Sequence, residues 1–77
     1  MANVIVYSTP TCGWCHRVKD YFKENNIEFV VKDVSVDEQA REEMFAKTQQ
    51  MGVPVIDIDN NLTIGFDQPR LAYLLGL

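Results

Sequence analysis

The sequence is poor in the residues that would make it anything other than an ordinary folded domain. Three prolines and four glycines in 77 residues are too few for a disordered or fibrous chain. Two cysteines allow at most one disulfide, so a disulfide framework cannot replace a core. No apolar run is long enough to span a membrane. Met1-Ala2-Asn3 has no basic start, and Val4-Ile5-Val6-Tyr7 is too short for a secretion signal. The chain is therefore expected in the cytoplasm, where a close cysteine pair is catalytic or metal-binding more often than structural. Basic residues are scarce too: seven against eleven acidic give a net charge of −4, the wrong sign for neutralising nucleic-acid phosphates. No segment is of low complexity and no repeat is present.

What remains is 47% hydrophobic residues and 23% charged, the composition of one domain over residues 1–77, expected to act as a monomer. A chain this small buries roughly 60–65% of the surface exposed by its unfolded form, so one modest core must hold it.

The periodicity of the apolar residues orders the elements. Val4-Ile5-Val6-Tyr7 is a β-branched and aromatic run ended by Ser8-Thr9-Pro10-Thr11, a buried strand and a turn. From Cys12 the period changes: Trp14, Cys15, Val18, Tyr21 and Phe22 recur at helical spacing with charged residues between them, and Asn25-Asn26 ends the helix. Ile27 to Val34 reads as a second strand. Ser35 and Glu38 form a capping box that opens a helix to about Gln50, with Ala40, Met44, Phe45 and Thr48 facing inward. Val53 to Ile58 is a third strand, and Asp59-Asn60-Asn61 turns into a short fourth, Leu62-Thr63-Ile64. Asp67 caps a last helix, with Pro69 in its first turn, an apolar face of Leu71, Leu74 and Leu75, and Gly76 at its end. The order is βαβαββα. A strand–helix–strand unit implies a right-handed crossover with the first two strands parallel, and the late hairpin is antiparallel. The expected fold is α/β: a four-stranded mixed sheet flanked by three helices.

Chemistry concentrates in Cys12-Gly13-Trp14-Cys15. Cys12 falls at the start of the first helix and Cys15 one turn later on the same face, so the two sulfurs can meet. The free N–H groups of a first turn and the positive end of the helix dipole stabilise a thiolate. Such sites lower a cysteine pKa from about 8.5 to roughly 3.5–7.5. Cys12 is thus the expected nucleophile and Cys15, deeper under the helix, the thiol that resolves a mixed disulfide. Gly13 leaves room for a partner's backbone, and Trp14 offers an aromatic plate beside the sulfurs. Packing alone explains neither the C-x-x-C spacing nor its place after a strand.

Cys12-Gly13-Trp14-Cys15-His16 also matches the C-x-x-C-H haem-attachment pattern, with Met44 or Met51 as a second axial ligand. The β-rich surroundings and the missing secretion signal weigh against it. A zinc or iron–sulfur site needs four soft ligands, which two cysteines and one histidine supply only in a dimer. His16 is otherwise read as a solvated helix residue ahead of one that tunes Cys12. Val53-Pro54 marks a strand start or edge, or else a cis proline whose neighbours bind an extended peptide.

Together, Val4-Ile5-Val6-Tyr7-Ser8 before Cys12-Gly13-Trp14-Cys15, then Gly52-Val53-Pro54, then Gly65-Phe66-Asp67 resemble the glutaredoxin family of the thioredoxin superfamily along essentially the whole chain. The resemblance implies a thioredoxin-like fold and a dithiol–disulfide oxidoreductase without a bound cofactor or metal. It implies that Cys12 attacks, Cys15 resolves, and a cis Pro54 packs against the active-site turn. Substrate contacts are expected at Gly13, Trp14, Val53, Pro54, Gly65, Phe66 and Asp67, and the substrates are disulfide-containing proteins. Where glutaredoxins carry a lysine before the first cysteine, a Thr-Val-Pro triplet and a Gly-Gly pair for glutathione, this sequence has Thr9, Gly52 and the single Gly65. Gly65-Phe66 resembles the small redoxins that serve ribonucleotide reductase and take electrons from a thioredoxin-reductase-like flavoprotein. A flavoprotein is thus the expected donor, ahead of glutathione.

Overall fold

A computed structural model describes residues 3–77. The elements run β1 (Val4–Ser8), α1 (Gly13–Glu24), β2 (Val30–Asp33), α2 (Glu38–Thr48), β3 (Val55–Ile58), β4 (Asn61–Ile64) and α3 (Gln68–Leu75). They form a four-stranded sheet in the order β2-β1-β3-β4. β1 is parallel to β2 and antiparallel to β3, which is antiparallel to β4. The expected mixed sheet and its three helices are present.

Period-two alternation in the central strands sorts side chains between two faces. Val4 and Val6 of β1 and Ile56 and Ile58 of β3 join Val18, Phe22 and Leu71 in one buried cluster, on the face covered by α1 and α3. Tyr7 and Val55 point the other way and join Val34, Ala40 and Met44 beneath α2. Both faces of β1 and β3 are buried, which is why these strands read as continuous apolar runs.

Several expected boundaries move. The second strand begins at Val30 instead of Ile27. The amide of Ile27 donates to Phe22 O at 2.8 Å and that of Asn26 to Lys23 O at 3.2 Å, with Asn26 left-handed at φ 57°. Together they close α1 with the two reverse bonds of a Schellman motif. Ile27 and Phe29 then pack against the α1 cluster. The cap of α2 is Asp37, whose carboxylate accepts from Ala40 N at 3.1 Å. The expected Ser35–Glu38 box is absent because the amide and hydroxyl of Ser35 both donate to Asp33 Oδ1. This holds Ser35 in a turn before the helix and keeps the Asp33 carboxyl below its usual pKa. α2 stops at Thr48, two residues early, with Gln49 left-handed. Phe45, expected inside, is 46% exposed. β3 starts at Val55, after the proline, and β4 at Asn61, because the hairpin turn is only Asp59-Asn60, both at positive φ as a tight I′ turn requires. The cap of α3 by Asp67 and its end at Gly76 stand as expected.

Candidate functional site

Antiparallel pairing of Tyr7 with Val55 and of Val55 with Ile64 brings three chain segments to one end of the sheet. They are the loop leaving β1 toward Cys12, the Gly52-Val53-Pro54 approach to β3, and the Gly65-Phe66-Asp67 exit from β4. The Val53–Pro54 peptide is cis and Pro54 is buried. The Pro54 carbonyl accepts from Gly65 N at 2.8 Å, and Gly65 has φ 82°, a conformation that a side chain would strain. The glycine thereby ties the second segment to the third.

Cys12 is the N-cap of α1, with extended backbone at φ −87° and ψ 109°. Its amide donates to Thr9 O at 3.3 Å, fixing the loop. Its sulfur accepts from the backbone N–H of Cys15 at 3.2 Å. A thiolate at Cys12 would therefore replace the usual cap oxygen and receive an amide of the first turn, where the helix dipole is positive. The first turn carries no acidic residue to offset this. Both cysteines are free thiols, Cys12 half-buried and Cys15 fully buried. Burial is the main cause that pushes the Cys15 thiol up to about 11, with help from the Cys12 hydrogen bond and charge. The Thr9 backbone and the Lys19 ammonium oppose it without prevailing.

The expected site residues do not all converge. Trp14 is 59% exposed and packs at 6.4 Å between centroids against Phe66, which lies 5.8 Å from Tyr21. Gly13 is exposed, and open space surrounds the position a Cβ would take there. Val53, another of the expected substrate contacts, packs against the Tyr7 cluster under α2 and away from Trp14 and Phe66. Asp67 uses its carboxylate to cap α3, accepting from Arg70 N at 3.3 Å.

Two neighbours of the motif make contacts that the sequence did not foretell. His16 is exposed, but its Nε2 stands 3.1 Å from Pro10 O, so its ring braces the loop ahead of Cys12 instead of being only solvated. Arg17 places its guanidinium 5.2 Å from the centre of the Trp14 ring. Its spacing of three from Trp14 on one helix was the available signal. Met44, the buried candidate for a haem axial ligand, lies under α2, on the opposite face of the sheet from the α1 cluster, which separates it from the helix that carries the cysteines.

Comparisons with known proteins agree with this geometry. The glutaredoxin family profile matches residues 4–63. The chain is 47% identical over 70 residues to an uncharacterised glutaredoxin-like 8.6 kDa protein in the rubredoxin operon of Clostridium pasteurianum, covering 91% of this chain and 93% of that one. It is 36% identical over 59 residues to glutaredoxin 3 of Escherichia coli K12, covering 77% and 71%. A mutant of the thioredoxin-like protein BC3987 superposes with a TM-score of 0.91 at 32% identity, over 99% of this chain and 97% of that one. Among the described residues no helix is long and apolar enough to cross a membrane. With the profile spanning most of its length and the cysteine pair set at a helix start after the first strand, the chain belongs to the glutaredoxin family of thiol–disulfide oxidoreductases.

Proposed function

We propose that this chain reduces disulfides in other proteins, with Cys12 as nucleophile and Cys15 as resolving thiol, and that a thioredoxin-reductase-like flavoprotein recharges it in preference to glutathione. The observation that carries the division of roles is the asymmetry of the pair. Cys12 receives a helix amide at 3.2 Å and is partly open to solvent, whereas Cys15 is fully buried with its pKa pushed up to about 11. At neutral pH Cys15 therefore waits as a thiol while Cys12 attacks.

The Cys12 thiolate displaces one sulfur of the substrate disulfide, forming a mixed disulfide and releasing the first substrate thiolate. Cys15 then attacks the Cys12 sulfur, forming the internal disulfide. Its proton goes to the second departing substrate sulfur, so two electrons pass to substrate. Trp14 and Phe66 supply an apolar surface beside the sulfurs. Among the described residues, the amide and carbonyl of Val53 make no hydrogen bond, leaving them for an extended substrate segment. Thr9 stands where glutathione-using relatives carry a lysine, so one cation for glutathione's carboxylates is missing. The flavoprotein supplies two electrons from NAD(P)H to the Cys12–Cys15 disulfide.

The test compares NAD(P)H-dependent turnover through a thioredoxin-reductase-type enzyme with turnover through glutathione and its reductase, for wild type and Thr9→Lys. The flavoprotein route is expected to be faster in wild type, with Thr9→Lys raising the glutathione route. Efficient glutathione turnover by wild type, unimproved by the lysine, would overturn the donor assignment.

A further inference from the structure

None of the eleven acidic residues precedes Asp20, so a chain of net charge −4 carries no carboxylate of its own on the loop and first turns around Cys12. The first charged side chains are instead two cations, Arg17 and Lys19, and among the described residues neither they nor Lys23 and Arg41 make an ion pair. Lys32 and Lys47 are held by Glu43 and Asp57, and Arg70 donates to Thr63 Oγ1 and Leu62 O. Arg17 has no ion pair among the described residues; the Trp14 ring at 5.2 Å is what holds its guanidinium.

Next to it, an open groove of about 380 Å³ runs between α1 and the start of α3. Tyr21 and Phe66 form its apolar floor, with Phe66 continuous with Trp14. Arg17 stands on the rim at the Trp14 end, and Asp20 and Glu24 follow along the helix. The rise along a helix puts Glu24 about 10 Å beyond Arg17. In an extended peptide that distance spans about three residues.

We propose that this groove receives the segment of a protein substrate that flanks the disulfide under attack, and that it reads charge order. Arg17 accepts a carboxylate next to the substrate cysteine, and Asp20 and Glu24 favour a cation about three residues further on. The inference rests on the protein-disulfide reductase activity proposed above and adds the class of substrate sequence. A segment of opposite order sets a cation against Arg17 and a carboxylate against Glu24, so discrimination comes from repulsion as well as attraction.

Three synthetic peptides, each closed by one internal disulfide, test it: acid near and base far from the attacked cysteine, the reverse order, and a neutral version. The readout is the second-order rate at which pre-reduced protein opens each disulfide, by acid quench and chromatography. Taking the ratio of the two charged peptides within each variant cancels any change in Cys12 reactivity. Wild type is expected to favour the acid-near peptide by roughly fivefold, a ratio that falls in high salt. Arg17→Gln brings the ratio toward one and Arg17→Glu inverts it. A wild-type ratio of one, or a ratio unmoved by Arg17→Glu, would overturn the groove assignment while opening of the neutral peptide keeps the reductase reading intact. Failure of wild type to open any of the peptides would overturn both.

Discussion

The two faces of the sheet solve opposite problems with the same strands. Under α1 and α3, β1 and β3 contribute Val4, Val6, Ile56 and Ile58, and Phe22 meets Phe29 at 5.5 Å in a wholly apolar layer around Val18 and Leu71. Under α2 the same strands contribute Tyr7 and Asp57, and a polar network crosses the layer. Lys47 Nζ donates to Asp57 Oδ2 at 2.8 Å and to the Tyr7 hydroxyl at 2.7 Å. The Tyr7 hydroxyl donates to Glu43, which also pairs with Lys32 at 2.7 Å. Burial lowers the Lys47 pKa, but Asp57 and Tyr7 outweigh it and leave the value raised. The Lys32 hydrogen bond holds the Glu43 carboxyl below its usual range.

The dry face makes a thiol hard to ionise, which suits the resolving cysteine. The polar face ties α2 to three strands and has no part in the proposed chemistry. Variants on the two faces should therefore differ in kind. The largest loss is expected from Phe22→Ala, about 3–4 kcal/mol by urea unfolding, since a fully buried ring leaves a cavity.

On the other face, Lys47→Met should cost about 2–3 kcal/mol, because Asp57, with a side chain 5% exposed, is left without its cation. Adding Asp57→Asn, which keeps an acceptor for Asn60 N at the hairpin, should restore part of it. Neither change should alter the reductase rate per folded molecule. A rate loss in Lys47→Met that tracks no loss of folded protein would break the separation between faces.

Alkaline pH separates the faces without mutation. Well below pH 9 the Cys15 thiol keeps its proton folded or unfolded. Between about 9 and 11 the unfolded chain ionises while the folded chain resists, so stability falls as pH rises, by on the order of 2 kcal/mol. The raised pKa values of Lys47 and Lys32 act in the same direction only above their ordinary value of 10.5. Denaturant melts of wild type and Cys15→Ala from pH 8 to 10 should show the slope in the first and little in the second.

The smallest effects concern the helix caps. Asp37→Ala and Asp67→Ala should each cost about 1 kcal/mol, and Ser35→Ala a few tenths, since Ser35 bonds only to Asp33. Equal losses for Ser35→Ala and Asp37→Ala would restore the capping box that the sequence pattern favours.

These contrasts track what was legible in the sequence. Local patterns carried the strand–loop–cysteine start of α1, the parallel first pair, the hairpin and the Asp67 cap, because each rests on neighbours a few residues apart. Ile27 and Phe29 have strand-forming side chains, yet tertiary packing against α1 prevailed over propensity. Phe45 follows Met44 directly and so stands about a quarter-turn around the helix from the buried stripe of Ala40 and Met44, on the exposed side. The α2-side network was invisible because the bonds joining Tyr7, Glu43, Lys47 and Asp57 span up to 40 residues of chain. At the site, the C-x-x-C pair and Phe66 were evident. The diversion of Val53 to the other face and the bracing of the loop by His16 needed the folded chain.

Burial divides the work between two chemically identical thiols, and trapping tells the two apart. Cys12→Ser and Cys15→Ser are each mixed with a disulfide-bearing protein at neutral pH, and intact masses are recorded. Cys15→Ser should accumulate a one-to-one adduct, mapped by peptide digestion to Cys12, while Cys12→Ser gains none and reduces nothing. An adduct on Cys15 of the Cys12→Ser protein, with Cys12 inert in the other variant, would contradict that division of work.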